Sequence, residues 1–276
     1  MKKCGLLILS LMIITFCSCN NSGNEHSKGT LSDSNANVVA TGEQNDTALY
    51  VNETIPLDSY VHNSPTMKLK LMLAGITLNN NAATEKAVNE ISYALTGSDG
   101  KSIAEAGNKY ISRVKAEFLE LRPEYINVRE SVENPHWFNY EYDINSSTDT
   151  GYKGYVNYTI DFFEFTGGAH PNSYKIILTF DPTDGHEVTL SEIMKEGYEE
   201  PLLAIITDEL LKFFKVESVE ELEKMTFGLD NLFISKNVIM NNNKMTFVYN
   251  KYDIAPYAVG EIVIDIEQEK LKDLIK

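Results

Sequence analysis

After residue 19 the chain has no cysteine: its three thiols, Cys4, Cys17 and Cys19, all fall at the N-terminus. The body that follows therefore has no means of forming a disulfide, a thiolate metal site or a cysteine nucleophile. Histidine is scarce as well. His26, His62, His136, His170 and His186 are scattered, and none recurs at metal-ligand spacing. Basic residues are outnumbered 24 to 40 by acidic ones, for a formal net charge of −16. That balance argues against nucleic acid as a partner and against adsorption to an anionic membrane through a basic patch. Also missing are the G-x-S-x-G elbow, the phosphate-binding P-loop, H-E-x-x-H and G-x-G-x-x-G. No catalytic residue, metal or cofactor is expected. Asp181, Asp184 and His186 sit close in sequence, but their proline-containing segment reads as a turn rather than a cation site.

What is present begins with an export signal. Residues 1–18 pair Lys2 and Lys3 with an apolar stretch from Gly5 to Phe16, too short to serve as a stable membrane span. Phe16-Cys17-Ser18-Cys19 resembles a bacterial lipobox, which makes Cys19 the expected lipidated N-terminus of an envelope lipoprotein held at the outer membrane. Loss of Lys2 and Lys3 with the leader takes the net charge from −16 to −18. Residues 19–58 are rich in Asn, Ser, Gly and Thr and read as a flexible tether, although Tyr50, Val51 and Ile55 near its end have a strand-like pairing pattern.

The rest reads as an α+β body, with antiparallel sheets, helices packed on one face and two small, intimately joined domains at 59–166 and 167–276. "MKLKLMLAG" alternates, placing Met67, Leu69, Leu71 and Leu73 on one face. Val88, Ile91 and Leu95 recur at helical spacing before Gly97, a C-terminal cap. Ser102 and Glu105 form a capping box that opens a second helix carrying Ile111, Val114, Phe118 and Leu121, which Pro123 should stop. Three strands then follow as a meander: one from Trp137 to Ile144, one at "YVNYTIDFFEF" and one at "SYKIILTF". The C-terminal part should hold a capping box at Thr189 and Glu192. A helix beginning at Pro201 should bury Leu203, Ile206, Leu210 and Phe213. A strand near 232–234, the strands "KMTFVY" and "EIVIDI", and a short last helix complete the expectation.

Three segments, "FTGGAHPNSY", "TFDPTDGHEVTLSEI" and "YNKYDIAPYAVGEIVIDI", resemble the signatures of the domain of unknown function 3298. The region from about residue 60, with its strand, helices and "YTIDFFEF", resembles the domain of unknown function 4163, the type fused to PdaC-like polysaccharide deacetylases. The same pair forms the extracytoplasmic part of RsiV-type anti-sigma factors, so the resemblance implies binding of lysozyme or of peptidoglycan. The deacetylase's catalytic domain and the anti-sigma protein's cytoplasmic segment have no counterpart in this sequence.

Recognition is thus the expected task. Gly167, Gly168, Pro171 and Pro256 suit structural loops, through positive φ or fixed φ. Trp137, His170, Tyr252, Asp253 and Tyr257 are the candidate ligand-binding residues, since aromatic rings beside polar groups suit sugar stacking or a protein hot spot. The reading is a non-enzymatic binding module for cell-wall glycan or a lysozyme-like protein. Its rivals are a hydrolase or deacetylase-type enzyme acting on cell-wall polysaccharide and a structural scaffold of an outer-membrane complex.

Overall fold

The computed structural model describes residues 49–133 and 135–276; the leader, Cys19 and the first part of the expected tether lie outside them. Two apolar cores organise what is described.

The first core lies under a five-stranded sheet in the order β1-β2-β3-β4-β5. Its strands are β1 (Leu49–Pro56), β2 (Thr66–Leu73), β3 (Tyr140–Thr150), β4 (Val156–Phe165) and β5 (Asn172–Phe180). Period-two alternation sets which face is buried. Met67, Leu69, Leu71 and Leu73 of β2 are buried, as are Tyr142 and Ile144 of β3 and Tyr158, Ile160 and Phe162 of β4. Helix α1 (Asn81–Thr96) brings Val88, Ile91 and Leu95 to this core, and α2 (Ile103–Leu119) brings Ile111, Val114 and Phe118. Asn80 caps α1, accepting from the Ala83 amide, and Gly97 closes it with φ +72°. Ser102 accepts from the Glu105 amide as expected, but the Glu105 carboxylate reaches Lys101 rather than completing a reciprocal box. The α+β architecture with helices on one sheet face is as the sequence implies.

Several local expectations need correction. The tether does not run to Asp58: β1 pairs antiparallel with β2 along its whole length, with Tyr50, Val51 and Ile55 in register against Met72, Leu71 and Met67. Strands β2 and β3 are parallel, because the chain crosses from one to the other over the helices, and a parallel neighbour requires such a crossover. Strands β3, β4 and β5 do form the antiparallel meander. Pro123 lies in the first turn of α3 (Arg122–Val128), where the missing N–H costs nothing, and α2 has already ended. Trp137 is not in a strand but in a 3-10 turn, His136–Phe138, ahead of β3. Because β5 belongs to the first sheet, a domain boundary at 167 would cut that sheet.

The second core lies on a three-stranded antiparallel sheet of β6 (Val238–Met240), β7 (Lys244–Tyr249) and β8 (Ile262–Glu267). Helices α4 (Leu190–Ile193), α5 (Glu199–Phe214), α6 (Val219–Met225) and α7 (Gln268–Leu271) complete it. The Thr189–Glu192 capping box is present. Pro201 is the third residue of α5 rather than the first. The buried stripe is Leu202, Ile206 and Leu210, leaving Phe213 exposed. Residues 232–234 form no strand; the pairing strand starts at Val238.

Polar side chains join the two cores. Asn157, only 1% exposed on the face of β4 away from the helices, donates to the Met240 carbonyl and accepts from the Met240 amide and the Thr179 hydroxyl. Along the outer edge of β5, Asn237 accepts from the Ile177 amide. Asn250 accepts from the Lys175 amide at 2.7 Å and donates to its carbonyl at 3.0 Å. Side-chain amides thus supply the hydrogen bonds that another strand would otherwise make.

Candidate functional site

The link between β4 and β5 contains Gly167 and Gly168, whose φ values are +81° and +93°, so both occupy the region that glycine alone enters freely. A Cβ on Gly167 would lie 2.4 Å from the Trp137 carbonyl oxygen, so the 3-10 turn before β3 closes directly onto this loop. The loop then presents His170 and Pro171 toward the link between β7 and β8. The Tyr257 hydroxyl donates to the Pro171 carbonyl at 2.8 Å, and the His170 and Tyr257 rings lie 4.5 Å apart. Tyr252 stands 5.6 Å from Tyr257 by ring centres.

The β7–β8 link is held at both ends. Asp253 accepts from the Asn250 amide at 2.7 Å and returns its own amide to the Asn250 carbonyl. Burial raises the Asp253 pKa, while that amide acts in the opposite sense. Pro256, at φ −59°, leads into the 3-10 turn Tyr257–Val259. Tyr252 has φ +69°, unusual for an aromatic side chain, and is 58% exposed. Lys251 places its ammonium 4.6 Å from the centre of the Tyr257 ring and 2.6 Å from the Ser173 hydroxyl.

Ser173 leads onto the face of the sheet opposite the helices. It pairs in register with Phe163, and Lys175 with Asp161. Lys175 bridges Asp161 at 3.1 Å and Glu261 at 2.7 Å. Burial works against its charge, but the two carboxylates outweigh burial and raise its pKa. Beside it lies a shallow depression of about 400 Å³, lined by Glu141, Asp143, Asn145, Asp161, Phe162 and Phe163. Ser173, bonded to Lys251 and paired with Phe163, and Lys175, paired with Asp161, thus connect the aromatic cluster to this depression.

Of the five residues expected to bind ligand, His170, Tyr252 and Tyr257 converge into one cluster. Asp253 braces the loop from within. Trp137 joins only through its carbonyl oxygen: its ring, 40% exposed, lies against His136 and Phe138. Sequence reasoning missed Lys251, Ser173, Lys175 and Glu261, whose roles depend on contacts between distant segments. Lys251 was adjacent to a selected tyrosine, the one signal that pointed to it.

The Asp181–His186 segment is a turn, with Asp181 accepting from the Thr183 amide and Gly185 donating to the Asp181 carbonyl. Asp184 and Glu192 contact opposite nitrogens of the His186 ring, a geometry in which they do not converge on a single cation. Among the described residues no group of three or more His, Cys, Asp or Glu is arranged to hold a metal.

Residues 191–269 match the family model described as Protein of unknown function (DUF3298). The structure is similar to the crystal structure of a member of the DUF3298 family from Bacteroides fragilis NCTC 9343, at 25% identity and TM-score 0.72, over 84% of this chain and 93% of that one. A DUF3298 family protein from Pseudomonas aeruginosa PAO1 shares the fold at 17% identity and TM-score 0.54, over 85% of this chain and 95% of that one. A search of the curated proteins found no match. Residues 191–269 are thus a DUF3298 domain, set beside a five-stranded body within a fold that both crystal structures share.

Proposed function

We propose that this protein is a non-enzymatic binding module of the bacterial envelope, anchored through lipid on Cys19, and that it recognises cell-wall glycan at the rim formed by His170, Tyr252 and Tyr257. The PdaC-type resemblance of residues 59–166 belongs to the same reading. One observation carries it: Tyr252 holds a left-handed backbone conformation while exposing more than half of its side chain. Core packing does not account for a bulky exposed residue in that conformation, and such outliers cluster at ligand-binding sites. Next to it, the exposed His170 ring, backed by Tyr257, offers a face for the apolar side of a sugar. The depression beside Lys175 supplies carboxylate and amide groups for hydroxyls.

Calorimetric titration of the protein with N-acetylglucosamine oligomers and soluble peptidoglycan fragments tests this. Saturable binding that Tyr252→Ala weakens up to about tenfold is expected, since a well-placed aromatic contact contributes about 0.5–1.5 kcal/mol. Absence of binding to both ligand sets refutes the reading.

A second reading, a basic lysozyme-like protein as ligand, is favoured by charge. Residues 191–230 hold eleven acidic and four basic residues, and nearly all of the acids are exposed. Association through that surface would weaken steeply with salt. Glycan stacking at the rim would not.

A further inference from the structure

We propose that the glycan taken by this rim carries a carboxylate, with Lys251 as its counter-ion. The inference rests on the glycan reading above and adds the charge of the ligand.

Lys251 is half-buried, and both groups that hold its ammonium are neutral: the Ser173 hydroxyl at 2.6 Å and the ring face of Tyr257 at 4.6 Å. Among the described residues it forms no ion pair with a carboxylate, in a chain whose acidic residues outnumber basic ones 40 to 24. Lys175 provides the contrast a few residues away across the junction. It too is half-buried, but Asp161 and Glu261 neutralise it. Asp253, two residues after Lys251, directs its carboxylate to the Asn250 amide instead. A partly desolvated ammonium with only neutral partners favours an anion beside it.

An incoming group next to Tyr257 would therefore meet one positive charge, one hydroxyl and aromatic faces. A sugar bearing a carboxylate matches that set, its C–H face on a ring and its acid on the lysine. A phosphate, with nearly two charges, would call for a second cation, and the neighbouring Lys175 is already paired. The protein's net charge of −16 repels anions at a distance. At physiological salt that field decays within about 8 Å, so the local charge governs the contact.

The test compares chitotetraose, which is neutral, with a hyaluronan tetrasaccharide, which carries glucuronate carboxylates, by titration of the full chain at physiological salt. The hyaluronan probe is expected to bind about tenfold tighter, the size of a charge-assisted hydrogen bond. Lys251→Met and Lys251→Gln should both remove that preference, bringing the two affinities together. Lys251→Arg should keep the preference. Equal affinities in the unsubstituted protein, or a preference that survives Lys251→Met and Lys251→Gln, overturn the inference and leave the glycan reading standing. If neither probe binds and peptidoglycan fragments also fail, the glycan reading falls and this inference falls with it.

Discussion

The first sheet has strands of 8 to 11 residues, whereas β6, β7 and β8 have 3, 6 and 6. Long strands fix many backbone hydrogen bonds and give a rigid platform. The second body instead leaves a long link between β7 and β8, and that link carries Lys251, Tyr252 and Tyr257. The long-stranded platform and the exposed aromatic link between β7 and β8 thus belong to different halves of the fold, and Asn157, Asn237 and Asn250 join them. The apolar cores hold each half together, while the junction fixes the β7–β8 link beside β5.

The largest effects should come from the cores. Phe118→Ala in the first and Phe247→Ala in the second each remove a fully buried ring, and each should cost roughly 3–5 kcal/mol. Because the junction is buried and hydrogen-bonded, both substitutions should shift a single denaturant transition; two separated transitions would show that the halves unfold independently. Asn157→Leu should come next, at roughly 1–3 kcal/mol, since it strands the Met240 amide and carbonyl and the Thr179 hydroxyl. An unchanged midpoint in that variant would mean the junction contributes specificity without stability.

Two neighbouring glycines differ in what surrounds them at the loop. Gly167→Ala combines positive φ with a clash against the Trp137 carbonyl and should cost roughly 1–3 kcal/mol. Gly168→Ala meets no atom within 4 Å, so its cost should be the backbone strain alone, about 1 kcal/mol. Equal midpoints for the two variants would remove the contact between the 3-10 turn and the loop from the account.

The smallest effect is pH-dependent and lies in the segment between the halves. Asp184 on one ring nitrogen and Glu192 on the other raise the His186 pKa above its usual value. A raised folded-state pKa contributes stability that is fully present below the unfolded value of about 6.5 and is lost as pH rises through the folded value. The unfolding midpoint should therefore fall across that window, and His186→Gln should flatten the fall. A fall of the same size in the variant would assign it to other groups.

Regular spacing made the cores legible in the sequence. Met67, Leu69, Leu71 and Leu73 alternate, and Val88, Ile91 and Leu95 recur at helical period; each set is buried as the spacing implies. Where two stripes competed, spacing did not decide: Leu202 and Leu203 are both apolar, and packing on β8 selected the former. The parallel pairing of β2 with β3 was hidden because strand period says nothing about a partner reached across three helices. The junction was hidden for a related reason. Asn157, Asn237 and Asn250 look like ordinary polar surface or turn residues until distant segments meet them. At the site, aromatic and glycine composition pointed to His170, Tyr252, Tyr257 and the Gly167–Gly168 pair. The role of Lys251 depends on Ser173 and Tyr257, and no local pattern announces it.

The most direct test is to map binding residue by residue, following backbone and aromatic resonances while peptidoglycan-derived oligosaccharides are added. Shifts centred on His170, Lys251, Tyr252 and Tyr257, extending to Ser173 and Lys175 and lost in Tyr252→Ala, are expected. Shifts confined to the acidic helices α5 and α6, or none at all, would rule out glycan recognition at this cluster.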